Sequence, residues 1–141
     1  MKKTKNHIVL CGDSIFDNGS YVRGEPDVAE QVREQLPDSK VTLLAIDGNV
    51  TKDVKDQLNN LPDDATHIFI SIGGNDGIDR MDVFDQGVKT IGDAMSPLYK
   101  MRHKFENIYN KMLTHVLSYG VPTALCSVYY PRYEELGLGR M

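Results

Sequence analysis

Three apolar runs in this chain each stop abruptly in a loop of glycine and small polar residues. Residues 7–11 lead into Gly12-Asp13-Ser14, residues 41–46 into Asp47-Gly48-Asn49, and residues 67–72 into Gly73-Gly74-Asn75-Asp76. Short runs rich in valine and isoleucine, bounded by turn residues, read as strands. Their nearly unbroken apolar character is that of parallel strands buried on both faces.

The stretches between them carry helical spacing. Gly24-Glu25-Pro26-Asp27 reads as a helix start with Pro26 near the first helical position, followed by Val28, Val32, Gln35 and Leu36 and stopped by Pro37. Thr51 is placed to cap a helix whose Val54, Leu58 and Leu61 share one face, ended by Pro62. Residues 80–96 read as a broken helix. Leu98, Met101, Phe105, Ile108, Met112, Val116 and Tyr119 then step by three and four along a long helix closed by Gly120, a stripe expected to face the core. A fourth strand is expected over residues 123–128.

Strand–helix alternation with short loops implies an α/β fold, a three-layer sandwich with helices on both faces of a parallel sheet and right-handed crossovers. With flavodoxin-like order 2-1-3-4, the strand order reverses between the first and third strands, and sites in such sheets lie at carboxyl ends beside the reversal. Ser14 and Asn75 follow those two strands. Fold and chemistry therefore point to one place.

Bulk properties narrow the class. At 141 residues and 40% hydrophobic, the chain (1–141) is expected to be a single domain with one core. A net charge of −4 argues against nucleic acid or an anionic membrane surface as partner. The basic start Met1-Lys2-Lys3 is followed by an apolar run too short for an export segment, so a cytoplasmic location is expected. Cys11 and Cys126 fall on different strands and suggest neither a disulfide framework nor a metal site. Asp47, Asp76 and Asp79 gather at loop ends, as carboxylates often do, and no metal or cofactor is expected.

A serine at the end of the first strand, on a glycine-loosened turn, is exposed to substrate. Its hydroxyl becomes a strong nucleophile when a base takes its proton, and the resulting tetrahedral intermediate needs donors aimed at its oxyanion. The Ser14 N–H, a Gly48 N–H and the Asn75 carboxamide are candidates. Gly48 suits a close approach of backbone to ligand. As alternatives, Ser14 could merely cap a turn, and Gly73-Gly74-Asn75 could be a tight turn.

Taken in order, these blocks resemble the GDSL, or SGNH, hydrolases. Gly12-Asp13-Ser14-Ile15-Phe16-Asp17-Asn18 is similar to the first block, with isoleucine where the family name has leucine. Gly48 looks like the second-block glycine, and Gly73-Gly74-Asn75-Asp76 the third block. The run Val128-Tyr129-Tyr130-Pro131-Arg132 resembles what often follows the fourth strand. The resemblance implies a serine hydrolase acting on a small-molecule carboxylic ester or thioester. Ser14 would be the nucleophile, Ser14, Gly48 and Asn75 the oxyanion hole, and Asp13, Gly12 and Gly74 supporting residues.

The family's last block, an Asp-x-x-His near the carboxyl terminus, has no counterpart after the fourth strand. Asp64-Ala65-Thr66-His67 matches the spacing but leads into the third strand at its amino end, about 15–20 Å from the site. His7 begins the first strand at the same wrong end, and His103 and His115 belong to the long helix. A shortened member of the family, with its fifth strand missing, is therefore expected. The alternative function is a truncated or degenerate, non-catalytic module that keeps the pocket and binds a small acyl or anionic ligand. A weaker one is a flavodoxin-like binder of nucleotide or phosphate. The fourth strand would be an exposed edge, so a homodimer or pairing with a missing carboxyl-terminal segment is expected.

Overall fold

The computed structural model describes residues 6–128. Its four strands form one parallel sheet in the order β2-β1-β3-β4. The strands are β1 (His7–Gly12), β2 (Lys40–Leu43), β3 (His67–Ser71) and β4 (Thr123–Leu125). The helices are α1 (Val28–Gln35), α2 (Val54–Leu58), α3 (Gly74–Ile78) and α4 (Ile91–Leu117), with short 3-10 turns at Thr51–Asp53 and Met81–Asp85.

Alternation along the central strands divides the core in two. Val9 and Cys11 of β1, with Ile68, Ile70 and Ile72, pack against Val54 and Leu58 of α2 and Met112 and Val116 of α4. Ile8 and Leu10 point the other way, toward Val28, Ala29 and Val32 of α1. Burying one such aliphatic side chain contributes about 1.5–3 kcal/mol, so these two clusters hold the layers together. Phe69 shares a face with Leu10, its register partner, yet is 36% exposed because α1 lies over β2 rather than over β3.

Several elements differ from their sequence pattern, each for a local reason. Helix α1 begins after Pro26, because Asp27 accepts the Glu30 N–H while Glu30 accepts the Asp27 N–H, a closed capping box. The regular ladder of β2 stops at Leu43, before the expected residue 46. The Leu44 and Ala45 N–H groups both converge on the Leu10 carbonyl, and pairing resumes only from Ile46 to Gly12. The Thr51 hydroxyl does not cap α2; it donates to Asp76 instead.

Helix α4 starts upstream of Pro97, fixed by a second capping box between Thr90 and Asp93. Pro97 removes one backbone hydrogen bond early in a helix of 27 residues, which the rest of the helix tolerates. The stripe expected to be core is buried only at Met112 and Val116. Leu98 remains 37% and Tyr119 38% exposed, so the stripe covers the sheet over only part of its length. Strand β4 is regular only to Leu125, although Cys126 still donates to the Ile70 carbonyl. The run 129–132 lies outside the described residues.

At the amino ends of the strands, buried His7 joins three segments. Its Nδ1 is 2.6 Å from Asp64 Oδ1 and its Nε2 is 2.8 Å from the Thr42 hydroxyl. Asp64 also pairs with Lys40. The Lys40 ammonium first, and His7 second, hold the Asp64 carboxyl down at about 2. A lowered carboxylate stabilises the fold above its ordinary value of 3.8, and that contribution disappears as pH falls from there through about 2. We predict that Asp64→Asn lowers the melting temperature at neutral pH and flattens its decline between pH 4 and pH 2, with a smaller effect in high salt. Circular-dichroism melts across that range check it, and an unchanged acid limb would refute it.

Candidate active site

The carboxyl end of β1 leaves no space for a side chain. Gly12 has a φ of +128°, and a Cβ there would lie 1.9 Å from the Ser71 carbonyl oxygen of β3. The close approach lets the Asp13 N–H donate to that carbonyl at 3.1 Å, and the chain then turns. Phe16 and Asp17 N–H groups return to the Asp13 carbonyl, while the Asp13 carboxylate accepts the Ile15 N–H at 3.1 Å. Ser14 therefore opens a helical turn just beyond the sheet. Among the described residues its N–H and its hydroxyl have no hydrogen-bond partner.

Buried Gln57 of α2 fixes this turn from below. Its Oε1 accepts the Gly12 N–H and its Nε2 donates to the Gly12 carbonyl, each at 2.8 Å. The same Nε2 donates to Asn49 Oδ1, and the Asn49 carbonyl accepts from Asn75 Nδ2 at 2.9 Å. Asp76, 6% exposed, accepts both the N–H and the hydroxyl of Thr51. On the rim, Asp17 accepts the Asp47 N–H and Asp47 accepts the Tyr21 hydroxyl. The loops after β1, β2 and β3 are thus joined through side chains as well as through the sheet.

Gly73 and Asn75 illustrate the same economy in the third loop. Gly73 has a φ of +117°, and a Cβ would press on Phe105 and Val128, so the position demands glycine. The next residues, despite their turn-like composition, form the short helix α3, and Asn75 stands in its first turn. A cleft of about 230 Å³ opens here, lined by Asp13, Ser14, Gly74 and Asn75 together with Ser71, Ile72, Cys126 and Val128.

The structure therefore brings Ser14, Asp13, Gly74 and Asn75 to one cleft. Gly12 lies beneath it as the hinge of the turn. Gly48 is not among its lining residues: it is exposed, with a φ of +81° and open space where a Cβ would stand. Its backbone angle by itself calls for glycine. Gln57 was not singled out by the sequence, Asn49 was read only as a turn residue, and Thr51 only as a helix cap. Gln57 had a signal, being a polar residue three positions after Val54 on the inward side of an amphipathic helix.

No histidine lines the cleft, and all four are described. His7 is engaged by Asp64 and Thr42, His67 Nδ1 lies 2.9 Å from the Thr66 hydroxyl, His103 faces Glu106, and His115 sits near the end of α4. Asp64 thus pairs with His7 and not with His67, at the opposite end of the sheet. Among the described residues no group of three His, Cys, Asp or Glu could hold a metal ion, and no helix is long and apolar enough to cross a membrane. Burial pushes the Cys11 thiol up to about 12, so it is a protonated core residue.

These observations converge on a family. The model of the GDSL-like lipase/acylhydrolase family matches residues 10–137, and the chain belongs to that family. Among solved structures it is similar to AlinE4, described as an SGNH-hydrolase family esterase, at 16% identity and a TM-score of 0.64, over 96% of this chain and 64% of that one. It is also similar to an extracellular lipase from Streptomyces rimosus, at 21% identity and a TM-score of 0.61, over 91% of this chain and 61% of that one. A phospholipase A1 from Streptomyces albidoflavus aligns at 21% identity with a TM-score of 0.57, over 90% and 60% of the two chains. At these identities the likeness is one of fold, and the chain spans about three-fifths of the length of these structures. No curated protein matches the chain.

Two glycines with positive φ should respond differently to a methyl group. We predict that Gly12→Ala costs about 4 kcal/mol or more, because backbone must move away from Ser71. Gly48→Ala, with open space around it, should cost about 1–2 kcal/mol from its left-handed angle alone. Urea unfolding of the two variants checks the ranking; equal costs would contradict it.

Burial raises the Asp13 carboxyl above its ordinary value, opposed by the Ile15 N–H and reinforced by the charges of Asp47 and Asp76. A raised carboxyl favours the fold fully below the ordinary value, and that advantage is lost as pH rises through the shifted one. Asp13→Asn keeps an acceptor for Ile15 without the charge. We predict a higher melting temperature than wild type at pH 7, the difference vanishing toward pH 3; a lower one at pH 7 would count against this account.

Proposed function

We propose that this chain carries the nucleophile and oxyanion hole of a serine hydrolase that cleaves a small carboxylic ester or thioester through an acyl-serine. The observation that carries the reading is the shared cleft of Ser14 and Asn75, with the Asn75 carboxamide oriented by the Asn49 carbonyl. That bond uses one of two amide protons and leaves the second for an oxyanion. In this reading Ser14 Oγ attacks the carbonyl carbon and, with no imidazole in the cleft, its proton passes to solvent water. The oxyanion is met by the Ser14 N–H and Asn75 Nδ2. The Gly48 N–H, without a backbone or side-chain partner among the described residues, is the third proposed donor. Collapse of the intermediate expels the alkoxide or thiolate, and water then releases the carboxylic acid from the serine.

The cleft holds no imidazole, and this favours a second reading, a non-catalytic module that binds a small acyl or anionic group in the same place. The two readings separate on the reactivity of Ser14. With an oxyanion hole and no histidine, a residual acceleration of roughly 10³–10⁴ over water is the scale to expect. We predict slow hydrolysis of p-nitrophenyl acetate by the 141-residue chain, largely retained in Ser14→Ala because it comes from the oxyanion hole, and a phosphonyl adduct on Ser14 after treatment with a fluorophosphonate, lost in Ser14→Ala. Asn75→Ala should slow the esterase reaction by about 10²–10³-fold, the effect of removing one oxyanion donor. A wild-type chain that forms no adduct yet still binds acetate or butyrate would decide for the binding module.

A further inference from the structure

A second cleft, of about 210 Å³, lies between the Thr51–Asp53 turn with α2 and the carboxyl-terminal half of α4. It shares no lining residue with the Ser14 cleft. Helical spacing builds it: Lys52 and Lys55 are three residues apart on one side, while Ile108, Lys111, Met112 and His115 step by three and four along one face of α4. Its surface is almost entirely carbon, supplied by Ile108, Met112 and the alkyl stems of the three lysines.

Two observations set this cleft apart from an ordinary seam. First, in a chain of net charge −4 three lysines line it, and none of their ammonium groups takes an ion pair or hydrogen bond among the described residues. Carboxylates on the same elements lie elsewhere: Asp53 and Asp56 line a separate cleft beside β2, Asp93 caps the start of α4, and Glu106 faces His103. Second, His115 Nε2 is the one buried side-chain polar atom without a hydrogen-bond partner among the described residues. Buried polar atoms are nearly always partnered, so this nitrogen is an exception among the residues that line the cleft.

We infer that this cleft binds a free fatty carboxylate of medium length, its alkyl chain along Ile108 and Met112 and its carboxylate among Lys52, Lys55 and Lys111. The size fits one narrow chain: it exceeds the roughly 150 Å³ apolar cavity that holds a benzene molecule. An inorganic anion would meet the ammonium groups and leave the carbon surface in water. An uncharged chain would cover the carbon and leave the three charges unmatched. Only an amphiphile with an anionic end satisfies both. The inference stands apart from the catalytic reading, since neither Ser14 nor Asn75 takes part.

The test titrates sodium decanoate, below its micellar concentration, into the full chain labelled at isoleucine and methionine methyl groups. Saturable shifts are expected at Ile108 and Met112, with Ile72 and Ile78 of the other cleft unmoved. The triple variant Lys52→Gln, Lys55→Gln, Lys111→Gln should bind about tenfold more weakly, the combined effect of three exposed charge pairs. Its melting temperature should be unchanged because all three side chains are exposed. Raised salt should weaken wild-type binding in the same way, and decanol and sodium sulfate should each bind at least about tenfold more weakly than decanoate. Shifts confined to Ile72 and Ile78, equal affinity for decanol, or an unchanged triple variant would each overturn the inference. So would binding to phosphatidylglycerol vesicles without binding to monomeric decanoate.

Discussion

The close approach of Gly12 to Ser71 sets the geometry of everything above the sheet. A side chain at Gly12 would collide with the neighbouring strand, so its absence lets β1 and β3 end side by side. The Gln57 carboxamide then satisfies both backbone groups of Gly12 and passes the constraint to Asn49 and, through its carbonyl, to Asn75. Buried polar groups cost about 1–3 kcal/mol each when left unpaired, so this chain of bonds rigidifies only because it is complete. Ser14 gains its half-buried position on the cleft from that rigidity. The turn carrying it has no freedom to fold back.

The two ends of the sheet use charge in opposite ways. At the amino ends, Asp64 sits between Lys40 and His7, and attraction holds its carboxyl down at about 2. At the carboxyl ends, Asp13 is buried near Asp47 and Asp76, and desolvation raises its carboxyl. One end stores stability; the other gives some up, as functional clefts commonly do. The same contrast explains why the histidine–aspartate pairing in this chain serves the fold: His7 is locked by its contacts at the end remote from Ser14.

The layers above and below the sheet are unequally filled. The side facing α2 and α4 carries the larger cluster, while α1 covers only the β1–β2 half of the opposite side. Phe69 stays partly in water as a result, and Leu125, on the opposite face, is exposed at the β4 edge. Helix α4 follows the same rule, buried where it crosses the sheet and exposed over its first turns.

The strands were legible in residues 7–12, 41–43 and 67–71, because short, nearly unbroken apolar runs bounded by turn residues suit a parallel sheet, while their order was an assumption of the flavodoxin-like arrangement that the structure bears out. The loops carrying Ser14 and Asn75 were legible too, since glycine and small polar residues after such strands end the ladder. Element limits were less so: the capping boxes at Asp27 and Thr90 overrode Pro26 and Pro97, because a satisfied helix start depends on side-chain bonds rather than on composition. Gln57, Asn49 and the Thr51–Asp76 pair became visible only in three dimensions. Their partners lie 8 to 45 residues away in sequence, and no local pattern encodes a bond of that span. The sequence by itself determined which residues could form strands and turns. Tertiary structure decided which polar atoms meet across them, because that depends on register and crossover, which place distant loops within a hydrogen bond of each other.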